Sequence, residues 1–265
     1  MSWRLLLHPP APGAVNLALD LAILEAVATG TAPATLRLYQ WAPACLSIGA
    51  LQPASRTLRQ PPGEPGRDWV RRPSGGRAVF HADEVTYAVV APEHDPLVVG
   101  GVIAAARRIG EALAIGLRQL GLAETTLAPG RRERRGSPAC YDAPSNAELA
   151  VAGRKLVGSA QLRRSGAVLQ HGSIPLTLDR AALVCRLALP EEERTTLLAV
   201  LQRKATALAE LLPARPDPAA VMVAVVAGFE QVGVRLRPGE LSAAEQIRAQ
   251  QLEAQFRSLE WNWRR

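Results

Sequence analysis

The chain has 265 residues, a formal net charge of +7 and a hydrophobic fraction of 48%, so it can bury a substantial core within one large domain. It contains no uncharged apolar run of about 18 residues, so no membrane span is expected. Its proline-rich N-terminus does not resemble a secretory signal. The three cysteines, at positions 45, 140 and 185, are too far apart to predict a disulfide framework or a zinc site. A reduced, cytoplasmic protein is therefore expected.

Basic residues outnumber acidic ones, but their distribution argues against a nucleic-acid-binding protein. Only 4% of the residues are aromatic, and the arginines are spread along the chain instead of forming one basic stripe. A single dense cluster, RRERR, occupies residues 131–135. It is either a solvated loop or a surface that attracts an acidic protein partner.

The hydrophobic pattern predicts a series of strands followed by a series of helices. In chain order it predicts a helix over 14–29, strands over 34–41 and 45–52, a strand, glycine turn and strand within 69–92, and a helix over 96–120. After a Gly- and Pro-rich loop over 128–146, it predicts strands over 148–164 and 166–179 and helices over 191–212, 217–231 and 241–260. The last helix opens with the capping-box spacing of Ser242 and Glu245. This order favours an α+β fold, with a core over residues 1–180 and a helical C-terminal segment over 181–265 packed on the same domain.

A cysteine and a lysine lie close together in an otherwise arginine-based sequence. The chain has 31 Lys and Arg residues, of which only Lys155 and Lys204 are lysines. Lys155 stands fifteen residues after Cys140 and just before a Gly-Ser-Ala turn. A lysine ammonium can approach one thiolate or one oxygen closely, so the pair fits a nucleophile and its electrostatic partner. A buried cysteine and a solvated lysine are an equal alternative at this point.

A glycine-containing motif, RRPSGGRAVFH, occupies residues 71–81. Its adjacent glycines, Gly75 and Gly76, let the backbone approach a ligand and turn N–H groups toward an anion or a carbonyl. The motif is neither a phosphate loop nor a dinucleotide fingerprint, so an ordinary hairpin turn is an equal alternative. His81, at its end, and His171, in LQHGSIPL, are each either a structural hydrogen-bonding group or part of a site.

Three long strings occur in a fixed order: RRPSGGRAVFHADEVTYAV at 71–89, ACYDAPSNAELAVAGRKLVGSAQ at 139–161 and GAVLQHGSIPL at 166–176. Together they resemble the lipoate–protein ligase/octanoyltransferase family. The resemblance extends to NLALDLAILE (16–25), LRLYQWAPACLSIGALQ (36–52) and SLEWNW (258–263). It implies the biotin/lipoyl protein ligase catalytic fold, an α+β arrangement of mixed, largely antiparallel sheets flanked by helices, with a short helical C-terminal segment.

Three chemistries compete within this family. ATP-dependent ligases activate free lipoate as an acyl-adenylate and need no cysteine. Octanoyltransferases of the Gram-positive type carry a cysteine before the lysine, in an ACF-like sequence followed by Pro-Ser, and ACYDAPS at 139–145 is similar to it, with Tyr in place of Phe. Amidotransferases that move octanoyl groups between lipoyl domains also use a cysteine. The branch with a cysteine after the lysine does not match, and the biotin ligase signature is absent.

The resemblance implies an octanoyltransferase that moves an octanoyl group from acyl carrier protein to a lysine of a lipoyl domain, such as the glycine cleavage H protein or an E2 subunit, through a Cys140 thioester. It implies a cytoplasmic, monomeric acyltransferase of lipoate biosynthesis without cofactor, metal, nucleic acid or membrane. An ATP-dependent ligase and an octanoyl amidotransferase are the alternatives. The implied catalytic residues are Cys140 and Lys155. The implied substrate-binding residues are Arg72, Ser74, Gly75, Gly76, Arg77, Ala78, His81, Gly158, Ser159, Ala160, His171 and Gly172.

The resemblance also assigns provisional chemistry to several of these groups. Lys155 is expected either to favour the Cys140 thiolate or to hold the acyl carbonyl oxygen as charge develops. The backbone N–H groups of residues 75–76 and 159–160 are candidates for the same oxygen, and His81 is a candidate base. Three apolar residues either line a tunnel for the acyl chain or pack in the core: Val79, Leu156 and Val157.

Overall fold

The computed structural model describes residues 2–61, 63–127 and 148–264. The strands are β1 Ser2–Leu7, β2 Thr35–Tyr39, β3 Cys45–Ile48, β4 Trp69–Arg71, β5 Val79–His81, β6 Glu84–Pro92, β7 Thr126–Leu127, β8 Leu149–Val151, β9 Arg154–Arg164, β10 Ala167–Pro175 and β11 Arg235–Pro238. The helices are α1 Gly13–Ala28, α2 Ala54–Thr57, α3 Val102–Gln119, α4 Arg180–Arg186, α5 Glu191–Lys204, α6 Pro218–Gln231, α7 Ala243–Arg257 and α8 Leu259–Trp263.

A large sheet and a small sheet organise the molecule. The large sheet has eight strands in the order β11-β1-β2-β6-β10-β9-β8-β7, and the small one has the order β4-β3-β5. The β11–β1–β2 pairs are parallel, whereas the pairs from β2 to β7 are antiparallel. The predicted α+β fold with mixed, largely antiparallel sheets is thus confirmed.

Helices cover both faces of the large sheet because its strands are apolar on both sides. Along β6, Val85, Tyr87 and Val89 join a core with α3 and α6. The alternate residues Ala88 and Val90 join a second core with α1 and α7, as the two-residue period of a strand requires. A third core lies between the small sheet and helices α4 and α5. The strands that carry the site are therefore held on both faces.

Local signals account for several helix ends. Helix α7 begins with the predicted capping box of Ser242 and Glu245, and α6 begins with Asp217 as its cap and a proline in its first turn. Helix α3 begins at Val102 and not at residue 96, since Gly100 and Gly101 have φ angles of +88° and +90° that no helix contains.

Other differences from the sequence prediction come from long-range pairing. Strand β1 was not predicted, and it lies inside the large sheet between β2 and β11. Strands β4 and β5 do not pair with each other; both pair with β3. The helix predicted over 191–212 ends at Lys204, followed by a short 3₁₀ turn at Leu208–Glu210.

The C-terminal part of the chain is helical except for one strand. Residues 181–265 contribute most of α4 and helices α5 to α8, but β11 adds to the edge of the large sheet beside β1. The boundary at residue 180 stays a prediction. Within the described ranges, no helix combines the length and apolarity needed to cross a bilayer. The predicted loop over 128–146 lies outside those ranges.

Candidate functional site

A cleft is lined by residues from both sheets and from α1. Apolar and aromatic side chains form much of its wall, and hydroxyls, two imidazoles and a guanidinium form the rest. This composition suits a ligand with one polar end and an apolar body. The lining residues are Leu17, Tyr39, Trp41, Ser47, Arg72, Val79, His81, Thr86, Gly158, Ser159, Ala160, His171, Gly172 and Ser173.

His81 lies in the cleft wall between a carboxylate and a hydroxyl. Its Nδ1 is 2.8 Å from Oε1 of Glu84, and its Nε2 is 2.8 Å from Oγ of Ser47. Strand β5 ends at His81 and β6 begins at Glu84, so the short turn between them brings the two together. The Trp41 ring stacks on the imidazole, with centroids 4.0 Å apart and planes within 7°. The imidazole is thus fixed in both position and orientation.

Glu84 is buried, yet it stays a charged carboxylate. Its Oε1 also accepts a hydrogen bond from Thr86 Oγ1 at 2.5 Å, and its Oε2 accepts one from Ser173 Oγ at 2.6 Å. Burial by itself raises the pKa of Glu84, but His81 and the two hydroxyls together lower the pKa below its ordinary value of 4.5. The imidazole therefore faces a fixed negative charge.

A second histidine, His171, forms a similar unit on strand β10. Its Nε2 is 2.6 Å from Oγ of Ser74, and its Nδ1 is 3.2 Å from Oδ2 of Asp20 on α1. Asp20 also accepts hydrogen bonds from Arg37 at 2.7 Å and from the Tyr39 hydroxyl at 2.9 Å. Burial raises the pKa of Asp20, but Arg37 and His171 outweigh it and lower the pKa overall. This network ties the glycine motif to α1.

Arg72 fixes the shape of the turn that contains Gly75 and Gly76, which we call the glycine turn. Its guanidinium donates to the carbonyl oxygens of Gly75 at 2.8 Å and Arg77 at 2.7 Å and to Oγ of Ser47 at 3.0 Å. Gly76 has a φ angle of +90°, a conformation that only glycine adopts without strain. Two glycines and one arginine thus hold a tight turn beside the cleft.

Gly172 keeps the wall of the cleft open on strand β10. It pairs with Ser159 of β9 and with Tyr87 of β6, and a Cβ atom there would stand 2.5 Å from Cε1 of Tyr87 and 2.7 Å from the Gly158 carbonyl oxygen. The Tyr87 and Ser159 hydroxyls are 2.7 Å apart. Burial raises the pKa of Tyr87 to about 12, so this phenol stays protonated at neutral pH.

Lys155 is buried near the start of β9, three residues before Gly158. A tight turn between β8 and β9 positions it, with Gly153 at a φ angle of +74°. Its Nζ donates to Oε1 of Glu148 at 2.7 Å. A lysine that is almost fully buried is rare unless it is paired, so the solvated lysine considered as an alternative is wrong.

The structure brings together most, but not all, of the predicted site residues. Seven of them line the cleft: Arg72, His81, Gly158, Ser159, Ala160, His171 and Gly172. Four lie in the turn beside it: Ser74, Gly75, Gly76 and Arg77. Ala78 packs in the core of the small sheet, and Leu156 and Val157 pack in the core under α3 and α6, whereas Val79 lines the cleft. Cys140 lies outside the described residues, so its pairing with Lys155 stays a prediction.

Sequence reasoning missed the carboxylates behind both histidines and the hydroxyls around them. A local signal existed for Glu84, which stands three residues after His81. Another existed for Asp20, which lies four residues after Asn16 on one face of an otherwise apolar helix. Ser47 gave no signal, because its strand reaches the cleft only through pairing with β5.

Comparison with known proteins agrees with this geometry. The lipoyl protein ligase A/B catalytic domain matches residues 12–230. An "Octanoyltransferase LipM" from Kyrpidia tusciae is 43% identical over the whole chain and 99% of its own length, and one from Moorella thermoacetica is 42% identical over the whole chain and 98% of its own length. A bipartite lipoate protein ligase from Thermoplasma acidophilum, solved in a study of that ligase and its E2 lipoyl domain, superposes with a TM-score of 0.79 at 24% identity, covering 99% of this chain and 96% of that one.

The superposition shows that the fold is shared, and the sequence matches also show the family. The domain match covers the segment that carries the glycine motif, both histidines and Lys155. The full-length matches leave no part of the chain outside the comparison. The chain belongs to the lipoyl protein ligase A/B family.

Proposed function

We propose that this protein transfers an octanoyl group from octanoyl-acyl carrier protein to a lysine of a lipoyl-domain protein, through a thioester on Cys140, in the cytoplasm. The protein is an octanoyltransferase of lipoate biosynthesis, since its full-length relatives at 42–43% identity are octanoyltransferases. The donor, the acceptor and the covalent intermediate are the parts that we add. The observation that carries them is the ACYDAPS sequence around Cys140, upstream of a buried Lys155.

The cleft supports an acyl substrate with a polar reacting end. Leu17, Tyr39, Trp41 and Val79 supply apolar wall for a chain of methylene groups. At its polar side, the cleft is bordered by the backbone around Gly158 and Ser159 and by the glycine turn. Donors held rigidly before the substrate arrives stabilise developing charge without reorganisation.

The proposed reaction has two balanced steps. In the first, the Cys140 thiolate attacks the carbonyl carbon of the octanoyl thioester on the carrier protein, a new C–S bond forms, and the carrier's thiolate leaves. In the second, the neutral ε-amine of the acceptor lysine attacks the octanoyl-Cys140 carbonyl carbon, a C–N bond forms, the nitrogen gives up one proton to solvent, and the C–S bond breaks to release the Cys140 thiolate. Splitting the transfer in this way means that the two protein substrates need not bind together.

Cys140 needs a cation to ionise, because a free cysteine has a pKa of about 8.5 and is mostly thiol at neutral pH. Lys155 is the candidate cation. Glu148, which precedes β8, holds the Lys155 ammonium at 2.7 Å, so a rigid ion pair positions the charge. Burial raises the pKa of Cys45 well above its ordinary value, so that thiol is no substitute nucleophile.

The proposal includes the remaining features that the resemblance implied. Family members act on lipoyl-domain proteins, and we assign the glycine cleavage H protein or an E2 subunit as acceptor. A net charge of +7 suits acidic partners. We further propose a monomer without cofactor or nucleic-acid partner, with its catalytic core over residues 1–180 and the C-terminal segment over 181–265 packed on it.

Intact-mass measurement after mixing with octanoyl-acyl carrier protein tests the intermediate. We expect one octanoyl adduct on the wild-type protein, its release by hydroxylamine, and its loss in Cys140→Ala. The matched control is Cys185→Ser, which removes an exposed thiol on α4 and should still give the adduct. Absence of an adduct on the wild type would overturn the covalent mechanism.

Two further incubations separate the alternatives. Modification of a lipoyl domain by octanoate and ATP, without carrier protein, would identify an ATP-dependent ligase. Transfer from octanoylated H protein, but not from octanoyl-acyl carrier protein, would identify an amidotransferase. We expect product only from octanoyl-acyl carrier protein.

A further inference from the structure

We propose that Arg71 is a positioning residue of the transferase, which ties the C-terminal helix α8 to the loop of residues 49–52 and so fixes the glycine turn at the edge of the cleft. Its role rests on the proposed function, in which this turn borders the reacting end of the acyl substrate. Arg71 is fully buried and lies outside the cleft lining, so it acts on the reaction through the backbone that it holds.

The side chain of Arg71 holds the loop of residues 49–52 by three hydrogen bonds. Its Nη1 donates to the carbonyl oxygens of Gly49 at 3.0 Å, Ala50 at 3.2 Å and Gln52 at 2.6 Å. The loop follows β3, and Arg71 ends the neighbouring strand β4. One guanidinium nitrogen therefore binds most of the carbonyl groups of the loop, and it fixes the course of the loop backbone.

The same loop packs directly on the glycine turn. The backbone N–H of Ala50 donates to the carbonyl oxygen of Ser74 at 2.9 Å. Gly49 approaches the turn so closely that a Cβ atom at this position would stand 2.0 Å from the carbonyl oxygen of Gly76 and 3.3 Å from the carbonyl carbon of Gly75. Because closely packed groups transmit displacements to their neighbours, a shift of the loop would shift the turn as well.

Helix α8 and the residue after it bind the rest of Arg71. Nη2 donates to the carbonyl oxygens of Arg264 at 2.7 Å and Asn262 at 3.1 Å, and Nε donates to that of Asn262 at 3.2 Å. The backbone N–H of Arg71 donates to Oδ1 of Asn262 at 2.6 Å, and the Arg71 carbonyl oxygen accepts from Nε1 of Trp261 at 2.9 Å. The C-terminal helix is therefore tied to both the side chain and the backbone of a residue 191 positions before Asn262.

Arg71 carries a buried positive charge, and within the described part of the chain its side chain donates only to carbonyl oxygens. Burial, and then repulsion by Arg264, lower the pKa of Arg71 to about 10, so the guanidinium stays charged at neutral pH. A buried charge without an opposite charge is costly, and a neutral residue would avoid this cost. The guanidinium instead supplies N–H donors in a fixed planar arrangement, which can bind carbonyl groups of two segments at once.

The glycine turn is thus held by two arginines. Arg72 donates directly to the carbonyl oxygens of Gly75 and Arg77, and Arg71 holds the loop that packs on the turn. In the proposed reaction, backbone donors of the turn stabilise an oxygen on which charge develops, and such donors are most effective when they are fixed in advance. A misplacement of about 1 Å can lower a rate about 10²-fold. Loss of Arg71 should therefore lower kcat and kcat/KM together, because the fixed turn acts in the transition state.

Replacement of Arg71 by lysine tests this role, with a second buried arginine as the control. Arg71→Lys keeps the charge but loses the planar set of donors, so kcat for octanoyl transfer to a lipoyl domain should fall about 10²-fold. KM for octanoyl-acyl carrier protein should stay within about twofold of the wild type. Arg4→Lys breaks a bidentate pair with Glu245 that lies outside the cleft lining, so it should lower the urea midpoint but keep kcat within about twofold.

Two readouts separate positioning from stability. Each kcat is expressed per folded molecule, so that a loss of stability by itself leaves it unchanged. Amide hydrogen exchange over residues 49–52 and 74–77 should be faster in Arg71→Lys than in the wild type and unchanged in Arg4→Lys. A wild-type kcat for Arg71→Lys, or an equal fall of kcat in both variants, would overturn the positioning role.

A milder variant decides the question if Arg71→Lys does not fold. Trp261→Phe keeps an aromatic ring beside Phe256 but removes the hydrogen bond to the Arg71 carbonyl oxygen. Its kcat should fall by about twofold to tenfold, the range for one lost hydrogen bond, and an unchanged kcat would overturn the proposal. If the wild type transfers no octanoyl group from octanoyl-acyl carrier protein, the proposed donor is overturned, and the same comparison with octanoylated H protein decides the role of Arg71.

Discussion

Replacing Asp20 by asparagine should destabilise this protein far more than a typical surface change does. Asp20 and Arg37 are both fully buried, and their charged atoms are 2.7 Å apart. Within the described part of the chain, Arg37 has no other charged partner of opposite sign: its other donors go to Asn16 and to Nδ1 of His8. His8 is neutral at neutral pH, since burial and then Arg37 lower its pKa to about 4.

The magnitude follows from leaving one charge without its partner. Removing one member of a buried ion pair costs about 3–5 kcal/mol, because the remaining charge stays desolvated without compensation. Asparagine preserves the size of the side chain but not its charge, so cavity formation contributes little. The Tyr39 hydroxyl and His171 also lose a charged acceptor. We therefore expect a loss of about 3–5 kcal/mol in the free energy of unfolding.

Helix α1 offers a matched control. Glu25 lies on the same helix and pairs with Arg248 at 2.6 Å, but both side chains are partly exposed. Exposed pairs contribute about 0–1 kcal/mol, so Glu25→Gln should cost at most that amount. Urea unfolding of the wild type and both variants, with a common slope, gives the comparison. Equal losses for Asp20→Asn and Glu25→Gln would refute the reasoning.

The pH dependence provides a second check on Asp20. Its pKa in the folded protein is lowered below the ordinary value of 3.8, so the folded state holds the carboxylate more strongly than the unfolded state does. The corresponding stability is fully present above the ordinary value and is lost as pH falls through the folded pKa. Unfolding midpoints measured below the ordinary pKa of 3.8 should therefore fall more steeply with decreasing pH for the wild type than for Asp20→Asn.

Three further predictions concern the lysine, the glycine turn and His8. Lys155→Arg should lower the overall transfer rate by about 10²-fold, because a larger, planar cation cannot replace a buried ammonium. The control is Lys204→Arg, which changes an exposed lysine of α5 and should keep the wild-type rate. Gly49→Ala would place a Cβ atom 2.0 Å from a carbonyl oxygen of the glycine turn. We expect this variant to lose about 1–3 kcal/mol in the free energy of unfolding, measured with urea. A Cβ atom at Gly75 would meet no atom of the described residues within 4 Å, apart from its chain neighbours, so Gly75→Ala should change the free energy of unfolding by less than about 0.5 kcal/mol. The pKa of His8 falls from 6.5 to about 4 on folding, so the unfolded state binds more protons between these values, and wild-type stability should decrease as pH falls through this window. His8→Gln should flatten that decrease, and an unchanged pH profile would contradict the assignment.

Local patterns predicted most helices because their signals lie within a few residues. The capping box at Ser242 and Glu245 acts on the adjacent backbone, so α7 begins where the spacing indicated. The start predicted for α3 at residue 96 was wrong because it overlooked the glycines at 100–101. Strand β1 escaped prediction because a strand of six residues has little periodicity of its own. It is stabilised by pairing with β2 and β11, and β11 lies more than 220 residues away along the chain.

The candidate site likewise contains some residues that the sequence indicated and others that it did not. His81, His171 and the glycine turn were visible in the sequence, because each stands in a distinctive string. Their partners were not, since Ser47 reaches His81 only through the β3–β5 pairing, and Asp20 reaches His171 only because α1 packs against β10. Sequence spacing does not show which residues form hydrogen bonds when they lie 34 to 151 positions apart.

The sequence by itself determined the family, the α+β class and the chemistry-bearing strings, because motif residues and their spacing are written directly in the chain. Only the tertiary structure decided which carboxylate stands behind each histidine and that Lys155 is buried and paired with Glu148. The physical reason is that a buried polar group without a partner costs free energy, so the packed fold pairs such groups with partners from distant segments. These partners set the charge and orientation of the residues that the sequence identified.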